Sequence, residues 1–554
     1  METRQCKKCR QDFVLDKDDF SFYEKMDVPV PKVCPDCRMR QKLLWRNERV
    51  LYNRVCDLCG KSIITMYGFK HPSPIYCHEC HLSDKWDPLS FGIEYDENKP
   101  FFEQFKKLFN SIPKAATHIG TGGSTNINSD YVNFAGGNKN CYLVFNSTIN
   151  EDSRYSRGII KSQNAYDIYF AEQIESCYEG VNLGRCNGVM WSKNITDSLN
   201  SYFLLNCSGC QNCFGCVNLR HKSYYFLNEP LQKEEWEKKV LEILGSYEKI
   251  ELFKKKFDEF SLKFPRRENN NLKTVNSFGD YIFESKNCLS CFEAFQCENC
   301  KYAFSIKLAK DSYDVVGRGV KSELLLETVA VGHGCSRIIG TWSLENSHDV
   351  EYSYDLRGSS YCLGCIGIKH GQYCILNKIY TEKEYKRIRG MIIKKLREEE
   401  IYGQYFPPEL SPWAYNETLA QENFPLTKEK ALAQGFRWED DIQKTERKET
   451  IKSEEIPDHI KDVKDSITNE ILKCIDCNRN YKITEPELLF YRKMILPIPR
   501  KCFYCRHKDR ILRRGPYKFW KRTCDKCKEE ITTNYAPDRP EIIYCESCYQ
   551  QEVY

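Results

Sequence analysis

Sixteen cysteines fall into eight C-x2-C pairs, and the spacing of these pairs is the same at both ends of the chain. Cys6-x2-Cys9 is followed after 24 residues by Cys34-x2-Cys37, after 18 more by Cys56-x2-Cys59, and after 17 by Cys77-x2-Cys80. Cys474-x2-Cys477, Cys502-x2-Cys505, Cys524-x2-Cys527 and Cys545-x2-Cys548 reproduce these intervals, each displaced by 468 positions. One knuckle offers two thiolates to an ion at about 2.3 Å, and a second knuckle closes a tetrahedral shell. Four thiolates leave no open coordination position. The spacing therefore predicts four structural Zn2+ sites, two in each terminal module. Reduced buried cysteine and iron are the alternatives.

Two further clusters could hold a fifth or sixth ion. Cys207, Cys210, Cys213 and Cys216 form C-x2-C-x2-C-x2-C, and Cys288-x2-Cys291 is separated by five residues from Cys297-x2-Cys300. The first resembles part of an iron–sulfur ligand run but lacks its ending. Free cysteine also packs as a small apolar residue, and core packing is the favoured reading for both clusters and for the isolated Cys141, Cys177, Cys186, Cys335 and Cys374.

No catalytic constellation is recognised, so the chain is read as a non-enzyme. His221 and His370 occupy equivalent places and read as turn residues, although such a pair could grip phosphate. Glu172, Glu175 and Glu179 are close in sequence, but in strand-rich surroundings they need not share a face. Thr121-Gly-Gly-Ser124 is glycine-rich without the lysine of a phosphate-binding loop.

Charge suggests what the modules touch. Ten basic residues and one acid, Asp509, lie between Arg500 and Arg522, with aromatics among them; between Arg38 and Arg54 there are six and one. Basic side chains interleaved with rings suit phosphate contact and base stacking. The candidate nucleic-acid residues are Arg38, Arg40, Arg46, Arg49, Arg506, Arg510, Arg513, Arg514, Lys518, Trp520, Lys521 and Arg522. RNA is favoured over DNA, and a protein or nucleoprotein partner is the rival. The same basicity could instead balance the metal–thiolate charge.

The filler residues repeat as well. Phe22-Tyr23-x-Lys25-Met26 matches Phe490-Tyr491-x-Lys493-Met494, and Pro29-x-Pro31 matches Pro497-x-Pro499. With Phe13 and Cys34-Pro35-x-Cys37-Arg38, this pattern resembles a zinc-ribbon domain family of uncharacterised bacterial proteins. The likeness covers about 40 residues in each module and is looser at Cys474–Arg506, where Phe503 replaces the proline. It implies zinc binding and no particular activity.

Between the modules the texture is that of short strands. An aromatic or aliphatic residue recurs every 11–13 positions, as in Tyr131, Tyr142, Tyr155, Tyr166 and Tyr178, with Asn, Asp, Ser and Gly between. This predicts a parallel β-solenoid whose coil joins two such units, about 22–24 residues; an irregular antiparallel β domain is the alternative. The segment around Cys213–Asn228 recurs 149 positions later, so the solenoid reads as duplicated.

The expected fold is mainly β with helical segments: a duplicated parallel β-solenoid flanked by two double zinc-ribbon modules. The boundaries are a module at 1–90, a helical connector at 91–120, solenoid halves at 121–228 and 273–380, and a charged helical insertion at 229–272. A helix and extended strap follow at 381–438, then a charged linker at 439–470 and a second module at 471–554. The linker, with 11 acids and six basic residues, is expected to be mobile.

A hydrophobic fraction of 41% allows real cores, and no apolar run is long enough to cross a bilayer. The segment METRQCKKCR lacks the apolar stretch of a signal sequence, and a cytoplasmic location is expected. The expected function is a zinc-binding scaffold whose basic modules bind nucleic acid or a nucleoprotein assembly. A protein-interaction scaffold and a solenoid-groove enzyme acting on sugar or nucleotide are the alternatives.

Overall fold

A tripeptide sets the architecture. In the structure, a computed structural model describing residues 1–119, 125–442 and 448–553, every third residue from Asn140 to Leu227 has positive φ. Four tripeptides make one rung, because neighbouring parallel strands pair at intervals of 12: Gln163 with Glu175, Tyr169 with Val181, Asn187 with Leu199. Strands such as Gln163–Tyr166 and Tyr169–Glu172 fall alternately into two parallel sheets. The expected repeat of 22–24 residues is thus halved. The aromatic spacing marked one whole rung, since a rung needs only two short strands.

Left-handed backbone costs an ordinary residue about 1–2 kcal/mol, least for Asn and Asp. These two types accordingly fill many of the positions, including Asn140, Asp152, Asn182, Asn194 and Asn206. Their side chains ladder between rungs: Asn128 to Asn140, Asn140 to Asp152, Asn182 to Asn194 and Asn194 to Asn206, at 2.9–3.0 Å.

The inward position of each tripeptide explains the cysteine content. Its N–H is turned from the ladder and needs an acceptor. Inward Ser, Asn and Cys provide one for the next rung: Ser153 Oγ accepts from Ala165 N, Asn150 Oδ1 from Ser162 N, Ser201 Oγ from Cys213 N, and Cys207 Sγ from Leu219 N. The space is narrow, so Cys, Ser, Ala, Val and Ile recur there. All cysteines between residues 141 and 374 are buried.

The chain forms two compact units, each built from two segments. Unit 1 comprises Met1–Thr121 and Asn269–Ile442; unit 2 comprises Gly122–Glu268 and Gln443–Tyr554. Each terminal cysteine-rich module therefore belongs with one of the stacks. In unit 1 the interval widens to 13 where Ala309 pairs with Ser322 and Glu323 with Ser336. The inward register shifts by one at each step.

Helices cover the stacks. Phe101–Ser111 buries Phe101, Phe105, Leu108 and Phe109 in unit 1, and Tyr247–Ser261 buries Ile250, Phe253 and Phe257 in unit 2. Helices Lys233–Ile243 and Glu382–Glu398 follow the ends of their stacks. The strap after residue 403 packs within unit 1, burying Phe406, Trp413 and Tyr415.

The expected mobile linker is corrected for its described residues. Ile456, Ile460, Val463 and Ile467 are 4% exposed and join the core of unit 2. Apolar residues spaced three or four apart bury one side of a charged segment. Thr121–Ser124, the glycine-rich segment, lies outside the described residues.

Candidate metal centres

All sixteen terminal cysteines are brought together as four sets: Cys6, Cys9, Cys34, Cys37; Cys56, Cys59, Cys77, Cys80; Cys474, Cys477, Cys502, Cys505; and Cys524, Cys527, Cys545, Cys548. Within each set the sulfurs lie within 4.8 Å of one another. Cys9 and Cys34 are 3.5 Å apart, Cys59 and Cys77 3.9 Å, Cys477 and Cys502 3.6 Å, and Cys527 and Cys545 3.8 Å. Ligands at about 2.3 Å around a tetrahedral ion stand about 3.8 Å apart, so these donor sets fit one metal each.

The sites share one construction. One knuckle sits on a turn, and the residue after its second cysteine is left-handed: Arg10, Gly60, Asn478 and Lys528. The N–H of each of these donates to the carbonyl of the first cysteine, at 2.9–3.0 Å. The other knuckle opens a helix, as Cys34 does for Pro35–Leu43 and Cys502 for Phe503–Arg514. Thiolates there face the positive end of the helix dipole.

Burial resists ionisation of Cys6, but N–H groups of Cys34, Cys9 and Lys8 outweigh it and bring the thiol down to about 6. The same balance brings Cys56 and Cys524 to about 6 and Cys474 to about 7. Burial, then neighbouring sulfurs, push Cys548 up to about 12. A divalent cation would supply the charge that lets all four thiols of a set ionise.

Arg38, Arg506 and Arg510, on the helices opened by Cys34 and Cys502, do not face solvent. Arg506 Nε lies 3.0 Å from Asp167 Oδ2, and Arg510 Nη1 2.7 Å from Asp167 Oδ1, all with side chains under 5% exposed. Unit 1 has the same device: Arg38 reaches Asp314 at 2.9 Å, and Lys42 reaches Asp314 at 3.1 Å and Glu327 at 2.8 Å. Burial alone would raise the Asp314 carboxyl; Arg38 and Lys42 hold it below its ordinary value. Burial dominates at Glu327 and raises it to about 7.

The expected nucleic-acid set is corrected accordingly. Arg38, Arg46, Arg49, Arg506, Arg510 and Arg514 are 1–7% exposed. Arg46 pairs with Glu48, Arg49 with Glu422, and Arg514 donates to Tyr169 Oη. Arg513, half-buried, donates to the carbonyls of Glu179 and Ser192. The six buried arginines are spent inside the protein, because a buried charge requires a partner. Arg40, Trp520 and Arg522 are partly exposed, while Lys518 and Lys521 are exposed.

Sequence reasoning missed the acids Asp167, Asp314 and Glu327. Their only signal was an acid in the left-handed register, where φ is 57°, 58° and 51°.

The internal cysteine clusters are not assembled like the terminal ones. Cys207, Cys210, Cys213 and Cys216 occupy consecutive inward positions, as do Cys288 and Cys291, and Cys297 and Cys300. Their thiols donate to backbone carbonyls, Cys210 to Ser208 at 3.6 Å and Cys291 to Cys300 at 3.4 Å. Among the described residues, only the four terminal sets meet the distance test for a metal.

His221 and His370 are exposed and left-handed, over Gly209 and Gly358. A Cβ on Gly209 would come within 2.3 Å of the His221 ring, so that corner needs glycine. Glu172 and Glu175 stand exposed on strands of different sheets, and Glu179 instead faces Lys254 at 3.4 Å. The three do not form a carboxylate pair. No helix among the described residues is long and apolar enough to cross a membrane. Comparison of the chain with protein-family models and with curated proteins found no match.

Proposed function

We propose that the chain is a non-enzymatic scaffold of two related units, each a β-solenoid of 12-residue coils clamped by a two-site zinc module. One observation carries this reading: the same docking contacts recur in both units. Phe22 stacks on Tyr313 at 3.9 Å, and Phe490, 468 positions later, stacks on Tyr166 at 3.9 Å. Arg38 lies over Tyr302 at 5.1 Å, and Arg506 over Tyr155 at 5.0 Å. Strand Ile75–Tyr76 pairs in parallel with Lys114–Ala115, and Ile543–Tyr544 with Arg266–Arg267. Recurrence on this scale supports duplication of the module and its solenoid together.

Zinc suits four thiolates in a closed tetrahedral shell. Its role in this reading is to fix the helix that carries the docking cations. Elemental analysis of the purified, folded chain should find four equivalents of zinc. Stripping them with a chelator should release both modules from their solenoids, seen as rapid proteolysis within residues 1–83 and 472–553. A folded, protease-resistant chain without metal would refute the scaffold.

A nucleic-acid partner is the second reading, supported by the exposed edge at Lys518 and Lys521 beside Trp520. RNA retention that persists in Lys518→Glu/Lys521→Glu would remove it.

A further inference from the structure

Unit 2 holds a cavity of about 450 Å3, lined in part by the docking residues Arg506 and Arg510 but separate from the metal centres. This is the size of a small-molecule site. It is walled by helix Tyr247–Ser261, helix Phe503–Arg514 and solenoid residues from Tyr178 to Leu205.

Its charge is unusual. Ten Lys and Arg side chains line it against five Asp and Glu. Several cations are already matched: Lys254 by Glu179 and Glu251, Lys501 by Asp476 and Asp509, Arg539 by Glu541. Three are not. Arg266 donates to Ser261 and the Phe264 carbonyl. Arg500 donates to the carbonyls of Ile456 and Pro457, and Arg513 to those of Glu179 and Ser192. None of the three has a carboxylate at ion-pair distance among the described residues, and Arg266 and Arg500 are only 5% exposed. A buried cation without an anion is costly unless something else supplies the charge.

Unit 1 provides an internal control. Pro31, Lys32, Val33, Arg38 and Gln41 correspond, at 468 positions, to the cavity residues Pro499, Arg500, Lys501, Arg506 and Asp509. There the remaining space is only about 10 Å3. The strap residues Gly403–Tyr405 line it, and Trp45 stands where unit 2 has Arg513. Trp45 packs against Tyr405 at 5.8 Å and Phe406 at 4.8 Å. One copy is filled with rings; the other keeps its space and carries arginine.

We propose that this cavity is a binding site for a small phosphate-bearing anion, with Arg266, Arg500 and Arg513 as its charge partners and Trp191, Phe203 and Tyr247 as its apolar wall. Arginine's planar fork matches phosphate oxygens, and the volume accommodates a mononucleotide.

The test is calorimetric titration of the full-length, zinc-loaded chain with pyrophosphate, ATP and citrate at low and physiological salt. One saturable site for pyrophosphate and ATP is expected, at least tenfold weaker in Arg500→Met/Arg513→Met. Lys32→Met, the unit 1 counterpart, should bind like the parent. Hydrogen exchange on the parent protein gives a second readout should the double variant not fold: saturating ATP should protect residues 247–261 and 503–514. The proposal is overturned by absence of saturable binding, by protection elsewhere, by unchanged affinity in a folded double variant, or by citrate binding as tightly as pyrophosphate.

Discussion

Asp167→Asn is the sharpest perturbation of the docking device. The carboxylate is fully buried and compensates two guanidiniums, Arg506 at 3.0 Å and Arg510 at 2.7 Å. The amide keeps the shape and removes the charge, leaving two buried cations unmatched. Breaking one buried pair by removing a partner costs about 3–5 kcal/mol. Two cations share this acid, so the upper end of that range applies. At roughly 2–4 °C per kcal/mol for a domain of this size, unit 2 should melt about 10–20 °C lower. Zinc content should not change, because no ligand is touched. The assay is denaturant unfolding of the full chain, with metal analysis and hydrogen exchange of residues 503–514. A loss below about 1 kcal/mol would refute the claim that this acid anchors the module. Replacing all three groups together, as Asp167→Leu/Arg506→Met/Arg510→Met, should recover much of the stability, since well-packed apolar groups often replace a buried ion cluster without loss.

Other consequences are more local. Ser201→Ala removes the acceptor for the Cys213 N–H and should cost about 1–3 kcal/mol; an undiminished denaturation midpoint would show that the inward N–H needs no partner. Cys6→Ser should lower the zinc content by one equivalent and leave the other three sites loaded, as measured by mass spectrometry of the native chain. Burial depresses His118 to about 3 from its ordinary 6.5, with Asp355 opposing and Arg318, Arg46 and Arg357 adding to the effect. The native state then refuses a proton that the unfolded chain accepts, so stability is full above pH 6.5 and declines as pH falls toward 3, by about 2 kcal/mol between pH 6.5 and 4.5. His118→Gln should flatten that slope; parallel pH profiles for variant and parent would contradict it.

The four cysteine sets were legible because their chemistry is local: two cysteines three residues apart already offer half of a tetrahedral shell. The arginines were not, since Arg506 looks the same in sequence whether its partner is a phosphate or an aspartate 339 residues away. A parallel stack was legible from the aromatic spacing, but its coil length was misjudged. The rings on the outer face spoke louder than the inward register, although Cys207-x2-Cys210-x2-Cys213-x2-Cys216 displays that register outright. The packing of residues 448–470 was hidden because four buried aliphatics were outnumbered by charge.

The division of each unit into two segments has a consequence for synthesis. The first module leaves the ribosome roughly 150 residues before its own solenoid begins at Asn269, a delay of about 7–30 s at ordinary elongation rates. In that interval the stack of unit 2 is made first, and its Asp167 and Tyr166 are the partners of the corresponding helices of the second module. Because the two modules differ at matching positions, as at Trp45 and Arg513, a nascent module has a chemical basis for discriminating between the two stacks.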